Sequence, residues 1–92
     1  MMYLHRLYIG CGGQSEEAID ELDSYAARLG DFTVYRAYGT WGSTREATLV
    51  YEHVSEASST PFFIILLAEH AKDALAQEAV MYVRCPVEMQ ML

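Results

Sequence analysis

Positive charge is scarce in this chain: Lys and Arg number 6 against 13 Asp and Glu in 92 residues, for a formal charge of −7 at pH 7. So acidic a chain lacks the net basic surface that displaces counterions from a phosphate backbone, which excludes broad, nonspecific binding to DNA or RNA. Cysteine is almost absent, with Cys11 and Cys85 alone, and His5, His53 and His70 have no metal-ligand spacing among themselves. No zinc or other metal site is expected. Long hydrophobic runs are missing too. The apolar stretch Phe62 to Ala68 is far too short to span a bilayer, and the N-terminus shows no basic region, apolar run and small-residue cleavage site. No membrane association and no secretory signal are expected. Nor is there a recognisable catalytic set. No serine lies in a nucleophile-elbow sequence, neither cysteine has an evident histidine partner, and Glu46, Glu52 or Glu78 would act as a base without an identifiable second group. No catalytic residue and no cofactor are therefore assigned.

What is present reads as one α+β domain over residues 1–92. An apolar content of 52% is well above that of a disordered chain, and the length suits a single core. Repeats, linkers and low-complexity tracts are lacking. So small a domain has a large surface relative to its core, which makes oligomerisation a natural way to bury more apolar area.

The order of elements is the most informative positive feature. A strand at Tyr3–Ile9 precedes a helix at Ser15–Leu29; strands at Phe32–Trp41 and Thr44–His53 flank a turn at Gly42; a helix at Pro61–Ala76 precedes a last strand from Ala79. This order predicts a ferredoxin-like βαββαβ fold with an antiparallel-dominated sheet and both helices on one face. Ser15 suits an N-cap, Glu16 and Glu17 suit the positive first turn, and Gly30 is expected in the left-handed position after Leu29. Ile19, Leu22, Ala26 and Leu29 form one apolar stripe. Glu16, Glu17, Asp20, Glu21 and Asp23 make the first helix acidic, whereas Arg6, Arg36, Arg45 and Arg84 fall on or beside strands. The polar segment Ser55–Thr60 reads as a loop, and Thr60-Pro61 as a helix start. Phe62 to Leu67 is apolar all round, so one face of the second helix is expected to cover the sheet and the other to meet a second copy. Beyond Cys85-Pro86, the alternation of Val87, Met89 and Met91 predicts a short extra strand, also available for pairing across a dimer. In this topology Cys11 and Cys85 fall near opposite ends of neighbouring strands. A disulfide, which needs Cα atoms within about 7 Å, is not expected, and a reducing cytoplasm is the expected compartment.

The same topology gathers a set of candidate ligand-binding residues at one end of the sheet. Gly10, Gly12 and Gly13 join the first strand to the first helix, where backbone N–H groups can form an anion-holding concavity or simply make a tight turn. Gly39, Trp41 and Arg45 flank the hairpin tip; an indole can stack on a purine and a guanidinium can hold a phosphate, or the pair can anchor the hairpin. Gln77 and Glu78 open the last strand at the same end and can bind base or ribose hydroxyls or satisfy the neighbouring turn. Tyr8, Tyr82, Arg6 and Arg84 share side-chain parity on strands expected to be neighbours, which suggests one common face for a ligand or a dimer contact.

Three segments, LYIGCGGQ at 7–14, FTVYRAYGTWGSTREATLVYE at 32–52 and QEAVMYVRCPVEM at 77–89, resemble a family of small phage proteins that counter Thoeris defence by sequestering a cyclic ADP-ribose signal. The shared positions are Ile9 and Gly10, Phe32 and Thr33, Gly39 and Trp41, Glu46, and Gln77 and Glu78. A domain family of unknown function shares the Gly-x-Trp, Glu and Gln-Glu features. The Cys-Gly-Gly after Gly10 stands where that pattern carries a polar, Asn-rich turn. The resemblance implies a homo-oligomer in the host cytoplasm that binds a nucleotide signal without cleaving it. Two other readings remain open at this point: a small dimeric enzyme of the cofactor-free oxygenase or isomerase type, using His5 or His53 in a chamber between sheet and helices, and a protein-binding inhibitor that presents the acidic first helix.

Overall fold

The computed structural model describes residues 1–92, except for the side chain of Trp41. Its elements are β1 (Met2–Gly10), α1 (Glu16–Leu29), β2 (Thr33–Trp41), β3 (Thr44–Ser55), α2 (Phe62–Ala74) and β4 (Met81–Val87). The strands form one sheet in the order β2-β3-β1-β4, with every neighbouring pair antiparallel. Because β1 and β2 both oppose β3, they run in the same direction and end at the same edge. The fold is α+β and ferredoxin-like, as the element order predicts. No described helix is long and apolar enough to cross a membrane.

Alternation along β1 sorts the molecule into two layers. His5, Leu7 and Ile9 are buried on the covered face with Leu49 and Tyr51 of β3. Against them pack Ile19, Leu22 and Ala26 of α1 and Ile64, Leu67 and Ala71 of α2. The Tyr51 hydroxyl, fully enclosed, donates to the Asp23 carboxylate on α1. Burial, and then that bond, push the Tyr51 phenol above its ordinary range, so it stays protonated and keeps α1 pinned to the sheet.

Ser15 does cap α1, its Oγ accepting from the Ala18 N–H at 3.1 Å, but Gly30 has φ 178°, extended backbone open to any residue. A Cβ there would lie 3.2 Å from the Phe63 ring, a tight approach that the ring would have to relieve by a few tenths of an ångström. That ring also meets Phe32 edge-on at 5.8 Å and His53 at 4.8 Å, so part of the apolar girth of α2 is used inside the chain. Phe62 and Ile65 are what remains exposed. The last strand begins at Met81 rather than Ala79, and residues 88–92 form no strand within the chain. The shared face of Tyr8, Tyr82, Arg6 and Arg84 is also overturned. Leu7 opposes Tyr82 and Tyr8 opposes Met81, so odd residues of β1 share a face with even residues of β4. Tyr82 and Arg84 lie on the helix-covered side; Tyr8 and Arg6 lie on the open side. Cys11 and Cys85 are both free thiols.

The open face is organised around charge. Arg6 Nε donates to Glu52 Oε2 at 2.6 Å, Arg6 Nη1 donates to the Tyr8 hydroxyl at 3.0 Å, and the Tyr35 hydroxyl donates to Glu52 Oε2 at 3.0 Å. Those bonds, the one to Tyr8 foremost, hold the Arg6 guanidinium above its already high ordinary value.

On the covered face His5 ties the Ser55–Thr60 loop to the sheet. A carbonyl can only accept, so Nε2–H donates to Ala57 O at 2.9 Å and Nδ1 accepts from the Tyr82 hydroxyl at 2.6 Å. Arg84 holds the same loop through the Ser58 carbonyl. Burial lowers the His5 pKa from its ordinary 6.5, so the unfolded chain takes up this proton more readily than the fold does. Stability contributed by neutral His5 is expected to be complete above about pH 6.5 and to be lost progressively as the pH falls from there through the lowered folded value. Urea unfolding between pH 5 and 8 measures it, with His5→Gln expected to flatten the acid limb; an unchanged acid limb in that variant would remove His5 from the account.

Candidate functional site

Two chain turns build the site at the end of the sheet where β1 finishes. The ladder runs one residue beyond Gly10, with Cys11 N donating to Ala47 O at 2.9 Å. The chain then reverses through Gln14 N to Cys11 O at 3.1 Å, with Gly13 at φ +76°, a left-handed conformation that favours glycine. Opposite this turn α2 ends in a Schellman arrangement, Gln77 N donating to Lys72 O at 2.9 Å around Ala76 at φ +52°. The side chain of Gln14 links the two turns by donating to Leu75 O at 3.1 Å.

Between them lies a cleft of about 450 Å³ lined by Tyr8, Gly10, Glu46, Gln77, Glu78 and Met81, with Ala76, Ala79 and Val80 completing the wall. Gly10, Gln77 and Glu78 are thus brought together as the topology predicts, and Tyr8, expected on a face with Tyr82 and Arg84, joins them. Gln77 and Glu78 belong to the loop before β4 rather than to the strand itself. Glu46, weighed in the sequence as a lone base and shared by the resemblance, is central. Its Oε1 accepts from the Gly12 N–H at 3.3 Å, and a Cβ on Gly10 would lie only 2.7 Å from that oxygen. The carboxylate therefore occupies the anion-holding place that the glycine turn offers.

Other candidate residues stand apart from the cleft. Arg45 and Glu46 are adjacent in β3 and face opposite sides of the sheet; the Arg45 guanidinium lies 4.6 Å from the Tyr38 ring centroid. Arg84 is engaged with the Ser55–Thr60 loop. Gly13 is exposed at the turn, and Gly39 opposes Glu46 in the β2–β3 ladder. The Trp41 side chain lies outside the described residues. Of the lining, Ala76, Ala79, Val80 and Met81 were missed: the last three are plain apolar residues, and an Ala in left-handed backbone carries no sequence signal for a turn.

The chemistry of the cleft follows from its lining. Glu46 and Glu78 supply negative charge, and none of the described cations lines it: Arg6 pairs with Glu52, Arg36 with Glu16 at 2.5 Å, and Lys72 with Glu69 at 3.2 Å. Near the turn, burial pushes the Cys11 thiol up, which suits a packing role rather than a thiolate. Among the described residues no group of three His, Cys, Asp or Glu is placed to hold a metal ion.

Ala76 carries the backbone cost of this geometry, since a left-handed residue with a Cβ is disfavoured by about 1–2 kcal/mol while glycine loses more freedom on folding. Ala76→Gly is expected to raise unfolding stability by up to about 1 kcal/mol, read by denaturant titration. A loss of stability would mean that the Cβ packs usefully where it stands.

No family model matches the chain, and no curated protein matches it. Among solved structures it is similar to the de novo designed protein Foldit4, at 12% identity, with 95% of this chain and 97% of that chain covered and a TM-score of 0.48.

Proposed function

We propose that this chain is a non-catalytic phage anti-defence protein that binds a small nucleotide-derived signal of the cyclic ADP-ribose type and withholds it in the host cytoplasm. The observation that supports this reading is the cleft itself, whose 450 Å³ falls in the range of small-molecule sites and whose polar groups converge from three separate segments. Two carboxylates line the cleft, and Glu46 is tied to the Gly12 N–H. The remaining titratable lining group, Tyr8, has its hydroxyl engaged by Arg6. The enzyme reading relies on His5 or His53 in a chamber between sheet and helices; both nitrogens of His5 are taken by Tyr82 and Ala57, and His53 Nδ1 donates to the Asp31 carbonyl at 2.8 Å. A binding protein needs none of these groups free.

The chemistry is tested by incubating the purified protein with extracts of cells whose nucleotide-signalling defence is active, removing unbound material, denaturing, and identifying what is released by mass spectrometry. An intact cyclic ADP-ribose or related nucleotide is expected; a chemically altered product would show catalysis and overturn sequestration.

Self-association belongs to the same reading. Phe62 and Ile65 are exposed on α2 at 72% and 45%, an apolar pair on the helix surface turned away from the core. Sedimentation of the full chain is expected to show a homo-oligomer that Ile65→Asp dissociates with unchanged circular dichroism. A monomer in both cases would remove α2 as a contact.

A further inference from the structure

The cleft presents hydrogen-bond acceptors to its occupant. Leu75 O, which accepts from Gln14 Nε2 at 3.1 Å, also accepts from Gln77 Nε2 at 3.4 Å, an orientation of the Gln77 amide that directs its oxygen the other way. That oxygen faces Gly10, where a Cβ would lie 3.1 Å from it and 2.7 Å from Glu46 Oε1. Two acceptors thus converge over one glycine; apart from the Gln77 amide itself, the donor side chain in the lining is Tyr8, whose hydroxyl accepts from Arg6 Nη1. Glu78 adds a third acceptor group to the same lining. A nearby backbone donor, the Gly12 N–H, is already directed at Glu46.

We infer that the cleft selects its ligand through adjacent O–H or N–H donors that bridge Glu46 and Gln77. Resting on the nucleotide reading, this assigns the contact to the cis-diol of a ribose, with the phosphates directed out of the cleft. Two neighbouring hydroxyls can each donate to a separate acceptor, and a carboxylate acceptor makes the stronger, charge-assisted bond. The esterified phosphates of a nucleotide linkage carry no O–H at neutral pH and would meet Glu46 and Glu78 with like charge. Gly10 is the opening that lets both oxygens reach the same group. Any side chain there would fill the space between them.

The test uses the full chain and four probes: adenosine 5′-monophosphate, 2′-deoxyadenosine 5′-monophosphate, 1,4-diaminobutane and inorganic pyrophosphate. Binding is followed by amide shifts of Gly10, Gly12, Gln77 and Glu78 in nuclear magnetic resonance titrations. The ribonucleotide is expected to bind at these residues, the deoxy analogue at least tenfold more weakly, and pyrophosphate not at all. Glu46→Gln, which replaces one acceptor oxygen by a donor, is expected to weaken the ribonucleotide at least tenfold, with an unfolding midpoint close to that of the parent chain. Binding of the diamine without the ribonucleotide would sustain donor selection and overturn the nucleotide reading. Equal binding of ribo and deoxy forms, insensitive to Glu46→Gln, would overturn donor selection and leave the nucleotide reading standing. Binding of pyrophosphate in the cleft, or of none of the four, would overturn donor selection outright.

Discussion

The structure depends on β1 being hydrogen-bonded along both edges. A strand held on two sides cannot shift register without breaking two ladders, so the alternation of its side chains is fixed with respect to β3 and β4 together. His5, Leu7 and Ile9 are thereby committed to the core, and Arg6 and Tyr8 to the open face. Both helices pack on the covered side of this strand and its neighbours, and the loops that build the cleft leave from its end.

That constraint explains why the cleft lies where it does. Gly10 ends β1 on the open side, so the position beside it is free for a carboxylate from β3 and an amide from the turn after α2. The anchors around it are polar and specific: Gln14 joins the glycine turn to Leu75 O, and Gln77 closes the end of α2 through its own backbone. At the other end of the sheet, His5 and Arg84 secure the Ser55–Thr60 loop. Polar groups with fixed partners thus define the two ends, while the middle is held by apolar packing.

Charge placement separates the roles of the arginines. Every strand arginine is directed to a partner within the chain: Glu52 for Arg6, Glu16 for Arg36, the Tyr38 ring for Arg45 and the Ser58 carbonyl for Arg84. An arginine pattern suggestive of phosphate recognition in the sequence is in this fold a set of internal ties. The acceptors of the cleft are left without positive neighbours, which sets what the site can hold.

Element order, the α1 stripe with its Ser15 cap, and the gathering of Gly10, Gln77 and Glu78 at one end were all legible in the sequence, because periodicity, capping chemistry and a short βαββαβ chain leave few alternatives. Register was not. Whether Tyr8 shares a face with Tyr82 or with Met81 depends on the pairing offset of β1 and β4, which no single strand encodes. The same holds for Glu46: its reach to Gly12 and Gly10 joins residues far apart in the chain, and only the packed sheet brings them into contact. Local order in this protein is written in short-range residue spacing, whereas the direction each functional side chain faces is decided by long-range pairing, where a shift of one residue would turn it to the other side.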